Sequence, residues 1–288
     1  MKVLLTGATG FVGRYVVKEL ERQGIEYVSL QRSLPSDDRA IQMDLLGTLE
    51  FESLFQKFKP THLIHVAWYA EHGSFWKSDT NLQWIMATKR LVEAFCLSGG
   101  QHVVITGTCA EYDWSHGYCV EDVTPLKPNS IYGICKDTTR KMIELVVEEY
   151  GVSMAWARVF MPYGPGEKSQ RLIPSLFKAF KGDIAPFGVN AKAYRDFLHV
   201  EDAARAILAC AQSKFIGAVN ICSGRPVQIS EILDIVARIK NCDPEVILKL
   251  APKNQEANNF LVGENKKLRS LGWEQEIMLG QGLMNYQP

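Results

Sequence analysis

The sequence has no excess of charge of either sign. Lys+Arg and Asp+Glu number 32 each among the 288 residues, so the formal net charge is zero. Nucleic-acid-binding domains usually show a basic surplus or stripe, and acidic interaction tails show a run of carboxylates. We therefore expect neither a nucleic-acid partner nor an acidic disordered tail.

Long apolar runs and closely paired cysteines are also missing. No stretch approaches the roughly 20 apolar residues of a membrane span, and the apolar run near Met1 is too short for a signal peptide. The seven cysteines contain no Cys-x-x-Cys pair, the spacing typical of zinc sites and thioredoxin-like centres. We expect a cytoplasmic protein with reduced thiols, no metal site and no membrane contact.

Short apolar runs rich in β-branched residues alternate with longer amphipathic segments. The predicted strands are residues 3–6, 27–31, 62–67, 102–107, 154–160 and 218–222. The predicted helices are residues 12–23, 48–58, 81–98, 132–150, 171–181, 200–212 and 229–239. This alternation predicts an α/β fold with a Rossmann-type, doubly wound parallel sheet, which binds ligands at the carboxyl ends of its strands.

The pattern changes after Phe160, where residues 161–166 form a turn-rich break. Later segments alternate between apolar strands and helices without an obvious linker. We predict a dinucleotide-binding domain over residues 1–162 and 196–224. A smaller, interleaved substrate-binding domain is predicted over residues 163–195 and 225–288.

A glycine-rich segment joins the first predicted strand to the first predicted helix. Glycines at this junction allow a tight turn and let backbone N–H groups approach a pyrophosphate at the helix N-terminus. Because the motif lies inside a strand–helix–strand pattern, we favour dinucleotide binding over a simple turn. The predicted contacts are Gly7, Thr9, Gly10, Phe11, Val12 and Gly13.

The end of the second predicted strand bears on which dinucleotide binds. Cofactor sites for NAD usually place an acid there to bind the ribose 2′-OH, whereas an Arg accommodates the 2′-phosphate of NADP. Here Arg32 and Ser33 follow the strand, with no acid before Asp37, so we expect NADPH. The alternative is that Arg32 is a solvated loop residue. Asp44 is expected either to bind the adenine amino group or to cap a helix.

A Tyr-x-x-x-Lys pair, Tyr132 and Lys136, lies at the start of a long predicted helix. Residues four apart share a helix face, and a nearby ammonium favours the phenolate. The pair therefore predicts a general acid or base, with the pKa of Tyr132 lowered from about 10 towards neutral. Thr108 follows a predicted strand, and its hydroxyl is expected to bind the substrate oxygen.

These motifs together resemble the extended short-chain dehydrogenase/reductase family, also known as the NAD-dependent epimerase/dehydratase family. The similar segments are residues 6–13, Thr108 with Tyr112, Tyr132 with Lys136, residues 158–165, residues 195–202 and Leu271-Gly-Trp273. The resemblance covers nearly the whole chain and implies a nucleotide-sugar substrate. It also implies cofactor contacts from Ala67, Asn81 and Lys136, and a homodimer formed through the helices at 81–98 and 132–150.

The resemblance also separates branches of the family. Sugar 4,6-dehydratases carry Asp-Glu after the catalytic Thr, where this chain has Cys109 and Ala110. GDP-fucose synthases carry a Cys at the position of Ala110 and a His before Ile-Pro, where the stretch 171–174 has none. The segments at 65–71 and 107–114 resemble reductases of the CDP-abequose and dTDP-fucose synthase type. We therefore expect NADPH-dependent reduction of a 4-keto-6-deoxy nucleotide sugar.

Other functions stay open at this point. A 4-epimerase needs only a Tyr, a Lys and a hydroxyl residue, although such enzymes usually carry the ribose-binding acid. A regulator that has kept the fold and lost its chemistry is a further possibility, as is a reductase of a hydrophobic carbonyl. The residues expected to bind substrate are Trp68, Thr108, Arg171, Lys178 and Arg195, with Met161 in place of a usual diphosphate-binding Asn. Neither the nucleotide nor the product stereochemistry follows from the sequence.

Overall fold

Strands and helices alternate along the chain in the computed structural model, which describes residues 1–34, 38–47, 51–213, 215–252 and 259–286. The strands are β1 (Lys2–Thr6), β2 (Glu26–Gln31), β3 (Ala40–Gln42), β4 (His62–His65), β5 (His102–Thr108), β6 (Tyr118–Cys119), β7 (Ser153–Val159), β8 (Met161–Tyr163), β9 (Tyr194–Arg195), β10 (Phe197–His199), β11 (Gly217–Ile221), β12 (Val227–Gln228) and β13 (Phe260–Gly263). The helices are α1 (Gly13–Arg22), α2 (Glu52–Phe58), α3 (Thr80–Leu97), α4 (Ile131–Glu149), α5 (Leu172–Lys181), α6 (Val200–Gln212), α7 (Ile229–Lys240), α8 (Glu245–Leu248), α9 (Lys266–Ser270) and α10 (Leu279–Met284). Short 3-10 turns cover Cys109–Glu111 and Trp114–His116.

Seven parallel strands form the main sheet, in the order β11-β7-β5-β4-β1-β2-β3. Helices cover both faces, which is why central strands such as β5 are buried along their whole length. The order reverses direction between β1 and β4, and this switch point opens a crevice at the carboxyl ends of the strands. The predicted α/β, Rossmann-type fold is confirmed.

Two apolar layers hold helices against the sheet. On one face, Val16 and Leu20 of α1 pack with Ile207 of α6. On the other, Phe95 of α3 and Ile143 of α4 pack with α2. These layers follow from the helical spacing of apolar residues in the sequence. No helix within the described ranges is both long and apolar enough to cross a bilayer.

Most differences from the predicted elements are at the ends. The strand predicted over 62–67 ends at His65, because the next residues turn towards the glycine-rich loop. The helix predicted over 48–58 is described only as α2, since residues 48–50 lie outside the described ranges. Strand β3 was not predicted, because three partly exposed residues at a sheet edge carry little pattern.

Smaller sheets build the second part of the molecule. Strands β8 and β10 pair in parallel, and a second sheet has the order β12-β9-β13-β6. Strand β6 lies in the range predicted for the cofactor domain yet pairs with β13. The interleaving is thus more extensive than predicted, and the proposed domain boundaries stay a prediction. An apolar cluster that includes Phe177 of α5 and Ile232 of α7 supports this part.

Candidate active site

Three glycines allow the tight turn between β1 and α1. Gly7 has a φ of 77°, and a Cβ there would lie 2.7 Å from the backbone nitrogen of Ala67. A Cβ at Gly13 would lie 1.9 Å from the Gly7 carbonyl oxygen. The Gly10 N–H donates to that same oxygen at 2.9 Å. Only glycine fits at positions 7 and 13, so the loop packs closely against the segment after β4 that contains Ala67.

The N-terminus of α1 suits an anion. Its cap residue, Val12, makes no side-chain hydrogen bond, and the first turn contains no acid. The first N–H groups of a helix lack intrahelical partners, and the helix dipole favours negative charge there. Thr9 and Gly10 are exposed beside this end, and Phe11 and Val12 are half-buried. The loop fits a dinucleotide pyrophosphate.

Arg32 and Ser33 lie exposed directly after β2. The Arg32 carbonyl accepts a hydrogen bond from Gln42 Nε2 at 3.3 Å, and within the described ranges no carboxylate pairs with the Arg32 guanidinium. Asp37 lies outside those ranges. Asp44 Oδ1 accepts from the Leu46 N–H at 3.0 Å, so this carboxylate shapes its own loop. Its contact with adenine stays a prediction.

Thr108 and Tyr132 meet at the carboxyl end of β5. Helix α4 begins just before Tyr132, where Ser130 Oγ accepts a hydrogen bond from the Gly133 N–H at 3.1 Å. A Cβ at Gly133 would lie 2.5 Å from the Ala110 carbonyl oxygen, so this glycine permits the close approach of α4. The Tyr132 phenol lies close enough to the Thr108 hydroxyl for that hydroxyl to lower its pKa. The predicted pair of hydroxyls is thus brought together.

The surroundings of Tyr132 are aromatic. Its ring packs edge-to-face against Phe75 and Trp76, at 4.9 and 5.7 Å between ring centres. Burial raises the pKa of Tyr132 above its ordinary value, while the neighbouring Thr108 hydroxyl and the charge of Arg171 act in the opposite direction. The prediction that this pKa falls towards neutral is wrong, because burial outweighs the favourable charges.

Lys136 binds the backbone of β5. Its side chain is almost fully buried, and Nζ donates to the Thr106 carbonyl oxygen at 2.7 Å. The ammonium also lies 3.9 Å from the centre of the Trp68 ring. Burial lowers the pKa of Lys136 to about 7, while the charge of Glu111 opposes that change. Trp68, predicted as a substrate contact, therefore lies against the Lys136 ammonium.

Asn81 organises the loop that carries Trp68. Its side chain is fully buried, and Oδ1 accepts from Trp68 Nε1 at 2.8 Å. Nδ2 donates to the carbonyl oxygens of Phe75 at 2.7 Å and Ser78 at 2.8 Å. The amide thus binds its own loop, and its predicted cofactor contact stays a prediction. Ala67 does border the glycine-rich loop, with its N–H donating to Thr6 Oγ1 at 3.3 Å.

A cavity of about 360 Å³ adjoins this site on the side of α5. Arg171 and Arg195, both predicted to contact substrate, line this cavity, and their contact with a substrate stays a prediction. Arg171 Nη2 donates to the Pro162 carbonyl oxygen at 3.1 Å, and its guanidinium lies 5.9 Å above the Phe11 ring. Lys178 lies two turns further along α5 and does not line the cavity. The remaining lining residues are Met161, Glu167, Leu172, Ile173, Val189, Asn190, Ala193, Phe197 and Ile229.

Glu167 is a cavity residue that the sequence did not reveal. Its side chain is 2% exposed and lies 3.1 Å from Arg171 Nε. Its other oxygen accepts from the Tyr286 hydroxyl at 3.0 Å. Burial raises the pKa of Glu167 to about 7, despite the opposing charge of Arg171. The four-residue spacing from Arg171 hinted at an ion pair, but the contact with Tyr286 joins distant parts of the chain.

Comparison with known proteins identifies the family. The sequence model of the NAD dependent epimerase/dehydratase family matches residues 3–222. The chain belongs to this family. It is an NAD(P)-dependent oxidoreductase of the short-chain dehydrogenase/reductase type, and the resemblance inferred from the sequence is confirmed. Membership of this family implies a nicotinamide cofactor.

Individual members of the epimerase/dehydratase family are similar over nearly the whole chain. The dTDP-6-deoxy-L-talose 4-dehydrogenase (NAD(+)) of Aggregatibacter actinomycetemcomitans is 24% identical over 261 residues, 88% of this chain and 93% of the relative. CDP-abequose synthase of Salmonella muenchen is 20% identical over 290 residues, 98% and 95% of the two chains. The structure of MoeE5 in complex with UDP-glucuronic acid and NAD superposes with a TM-score of 0.83 at 25% identity, covering 99% of this chain and 97% of that one.

Proposed function

We propose that this protein uses NADPH to reduce the 4-keto group of a nucleotide-linked 4-keto-6-deoxy sugar. The observation that carries the proposal is the proximity of the Thr108 and Tyr132 hydroxyls at the carboxyl end of β5. A phenol and a hydroxyl side by side can bind one carbonyl oxygen and transfer one proton to it. This is the full acid–base requirement of a carbonyl reduction.

Tyr132 carries the proton that a reduction needs. Its phenol is protonated at neutral pH, since burial raises its pKa, and it can donate to an oxygen that gains negative charge as the hydride arrives. Thr108 binds the same oxygen, and the Lys136 ammonium adds positive charge where it contacts Thr106 of β5. When bound, NADPH supplies the hydride.

The neighbours of Thr108 argue against dehydration and against epimerisation at carbon 3 or 5. Both reactions need a group that exchanges a proton with a sugar carbon. Burial strongly raises the pKa of Cys109, which keeps its thiol protonated, and Ala110 has no ionisable group. The next residue, Glu111, is fully buried and paired with Arg158. No carboxylate in the described 3-10 turn after Thr108 therefore faces a substrate.

The relatives support the substrate class. One is named for oxidation at carbon 4 of a dTDP-6-deoxy sugar, another for making CDP-abequose, and MoeE5 holds UDP-glucuronic acid. We propose a nucleotide sugar as substrate, with its diphosphate at Arg171 and Arg195. Assays with sugars linked to different nucleotides would identify the nucleotide part of the substrate.

The choice of NADPH rests on Arg32 and Ser33, which lie exposed where an NAD-binding protein usually has an acid. Two of the similar proteins are named with NAD instead. The choice of NADPH is tested directly by the cofactor preference of the enzyme.

A 4-epimerase is the second candidate. It is favoured by the presence of Tyr132, Lys136 and Thr108, which such an enzyme needs, and by membership of a family that includes epimerases. A regulator without chemistry is not supported, since none of these three residues has been lost. We also propose a homodimer formed through α3 and α4, which expose the apolar side chains of Leu82, Met86, Ile134 and Leu145.

The test is incubation of the protein with CDP-, dTDP-, UDP- and GDP-linked 4-keto-6-deoxy sugars and NADPH in deuterated water. We expect stoichiometric oxidation of NADPH with one carrier. No deuterium should enter carbon 3 or 5 beyond the control without enzyme. Enzyme-dependent deuterium at these carbons, or turnover of a 4-hydroxy sugar without net NADPH oxidation, would contradict the proposal.

A further inference from the structure

A fully buried carboxylate lies directly behind the catalytic hydroxyl. Glu111 has no exposed surface, and Oε1 accepts from the Thr108 N–H at 2.8 Å. Oε2 accepts from Arg158 Nε at 2.7 Å. Trp156 Nε1 lies 3.0 Å from both carboxylate oxygens. All of these donors come from β5 and β7, the two strands that meet beneath the site.

A gain in folding stability does not explain the buried ion pair between Glu111 and Arg158. Side-chain exposure is 2% for Arg158 and 0% for Glu111. Removing two charges from water costs about as much as their attraction returns, and apolar residues of similar size often serve equally well. Arg158 Nη1 also donates to the Tyr112 hydroxyl at 3.1 Å, so the pair belongs to a satisfied polar network. Such a network fixes geometry more than it adds stability.

Strand β5 makes room for this carboxylate. A Cβ at Gly107, the residue before Thr108, would lie 2.6 Å from Glu111 Oε1 and 2.2 Å from Trp156 Nε1. A side chain at Gly107 would therefore displace either the carboxylate or the indole. The lack of a side chain at Gly107, just before Thr108, thus leaves the space that the Glu111 carboxylate occupies.

The Glu111 carboxylate holds the backbone of Thr108 and so sets the position of its hydroxyl. Glu111 and Thr108 form a reciprocal cap, in which Glu111 binds the Thr108 N–H and Thr108 Oγ1 accepts from the Ala110 N–H at 3.2 Å. A hydroxyl has one proton and two acceptor lone pairs. Because the Ala110 N–H takes one lone pair, the single proton and the other lone pair are left for Tyr132 and the substrate oxygen.

Glu111 also provides negative charge to the site. Lys136 Nζ donates to the Thr106 carbonyl oxygen at 2.7 Å, and Glu111 accepts from the Thr108 N–H, two residues further along β5, so both buried groups bind the same end of that strand. The charge of Glu111 raises the pKa of both Lys136 and Tyr132. Besides these two residues of α4, the ionisable neighbours of Glu111 are Arg158 of β7 and Cys109 in its own turn. Among these groups Glu111 is the counter-charge that favours the ammonium form of Lys136.

We propose that Glu111 is a positioning residue of this enzyme: held by Arg158, it sets the position of the Thr108 hydroxyl at the substrate carbonyl and stabilises the Lys136 ammonium. The first role rests on the proposed function, since it assumes a carbonyl substrate. The second does not, since it concerns the charge of Lys136 alone.

Two double variants separate the two roles. Glu111→Gln with Arg158→Met keeps an acceptor for the Thr108 N–H and removes both charges. Glu111→Leu with Arg158→Met removes the acceptor as well. We expect the Leu variant to lose about tenfold or more in kcat relative to the Gln variant, with KM and NADPH affinity within about twofold. Equal kcat values for the two folded variants would overturn the first role.

The second role is measured without substrate. In protein labelled at the lysine side chains, NMR titration of Lys136 should give a lower pKa in the Gln variant than in Arg158→Met alone, because these two proteins differ only in the charge at position 111. An unchanged titration would overturn this role, and the measurement remains decisive if the Leu variant fails to fold. If the wild type reduces no 4-keto sugar, the proposed function fails. The titration still tests whether the charge of Glu111 stabilises the Lys136 ammonium.

Discussion

The Lys136 ammonium lies 3.9 Å from the centre of the Trp68 ring, inside a site where Lys136 is 2% exposed. The face of an indole attracts a cation, most strongly where water is excluded. Trp68 is held in place by its hydrogen bond to Asn81 and by stacking on Trp84. The loop after β4 therefore stabilises a charge carried by α4.

Trp68→Leu should lower the pKa of Lys136 further. A desolvated cation–π contact contributes about 1–2 kcal/mol, which corresponds to a downward change of about one pKa unit. Trp68→Phe keeps an aromatic face and is the matched control, with a smaller expected change. NMR titration of the labelled lysine is the measurement. Identical Lys136 titrations in the Leu variant and the wild type would show that the ring does not stabilise the charge.

Tyr132→Phe should remove most of the reductase activity and leave NADPH affinity nearly intact. General acid catalysis typically contributes about 10²–10⁴-fold, and the ring packing against Phe75 does not need the hydroxyl. Tyr118→Phe, at a partly exposed tyrosine outside the site, is the control and should keep full activity. A loss of less than about tenfold in kcat for Tyr132→Phe would remove this residue from the proton-transfer role.

Arg32→Asp should shift cofactor preference from NADPH towards NADH. A charge-assisted contact with a phosphate contributes about 1.5–3 kcal/mol, or roughly one to two decades of affinity. Arg32→Lys keeps the charge and should retain most of the preference for NADPH. Dissociation constants for both cofactors, measured by fluorescence, check this. Equal binding of NADH and NADPH by the wild type would contradict the interpretation of β2.

Acid should destabilise the fold through His65. This side chain is buried, with hydrogen bonds joining its nitrogens to Thr6 and Thr88. Burial lowers its pKa to about 3. The unfolded chain therefore binds a proton near pH 6.5 that the folded chain does not bind until about pH 3. The contribution of neutral His65 to the free energy of unfolding is fully present above pH 6.5. It falls as the pH decreases from 6.5 to about 3, by up to about 1.4 kcal/mol per pH unit.

The check is urea denaturation at several pH values between 7 and 4. We expect His65→Gln to reduce the acid dependence of the unfolding free energy, although His62 and His102, whose pKa values are also lowered by burial, retain part of it. His116→Gln changes an exposed histidine and should leave the dependence as in the wild type. An unchanged slope in His65→Gln would contradict the assignment.

The parts of the site that the sequence predicts are local in the chain. The glycines at 7, 10 and 13 share one loop, and the Tyr132–Lys136 spacing places both residues in the first turns of α4. Their placement follows from turn and helix geometry alone. The parallel sheet is likewise predictable, because each buried strand is a short apolar run.

Contacts between distant segments could not be predicted in this way. Glu111 and Arg158 are 47 positions apart, and Glu167 and Tyr286 are 119 apart. Nothing in the local pattern shows that Trp68 faces Lys136 or that Lys178 lies away from the cavity. The lower pKa expected for Tyr132 was wrong for the same reason, since burial by the loop around Phe75 depends on tertiary packing.

Transfer of deuterium from NADPH to carbon 4 of the sugar tests the central claim most directly. The enzyme is incubated in ordinary water with a 4-keto-6-deoxy nucleotide sugar and NADPH deuterated on either face of nicotinamide carbon 4. We predict that NMR of the product shows deuterium at carbon 4 of the sugar, one for each NADPH oxidised, from one of the two labelled faces. A product without deuterium at carbon 4, from either form of the label, would contradict the account.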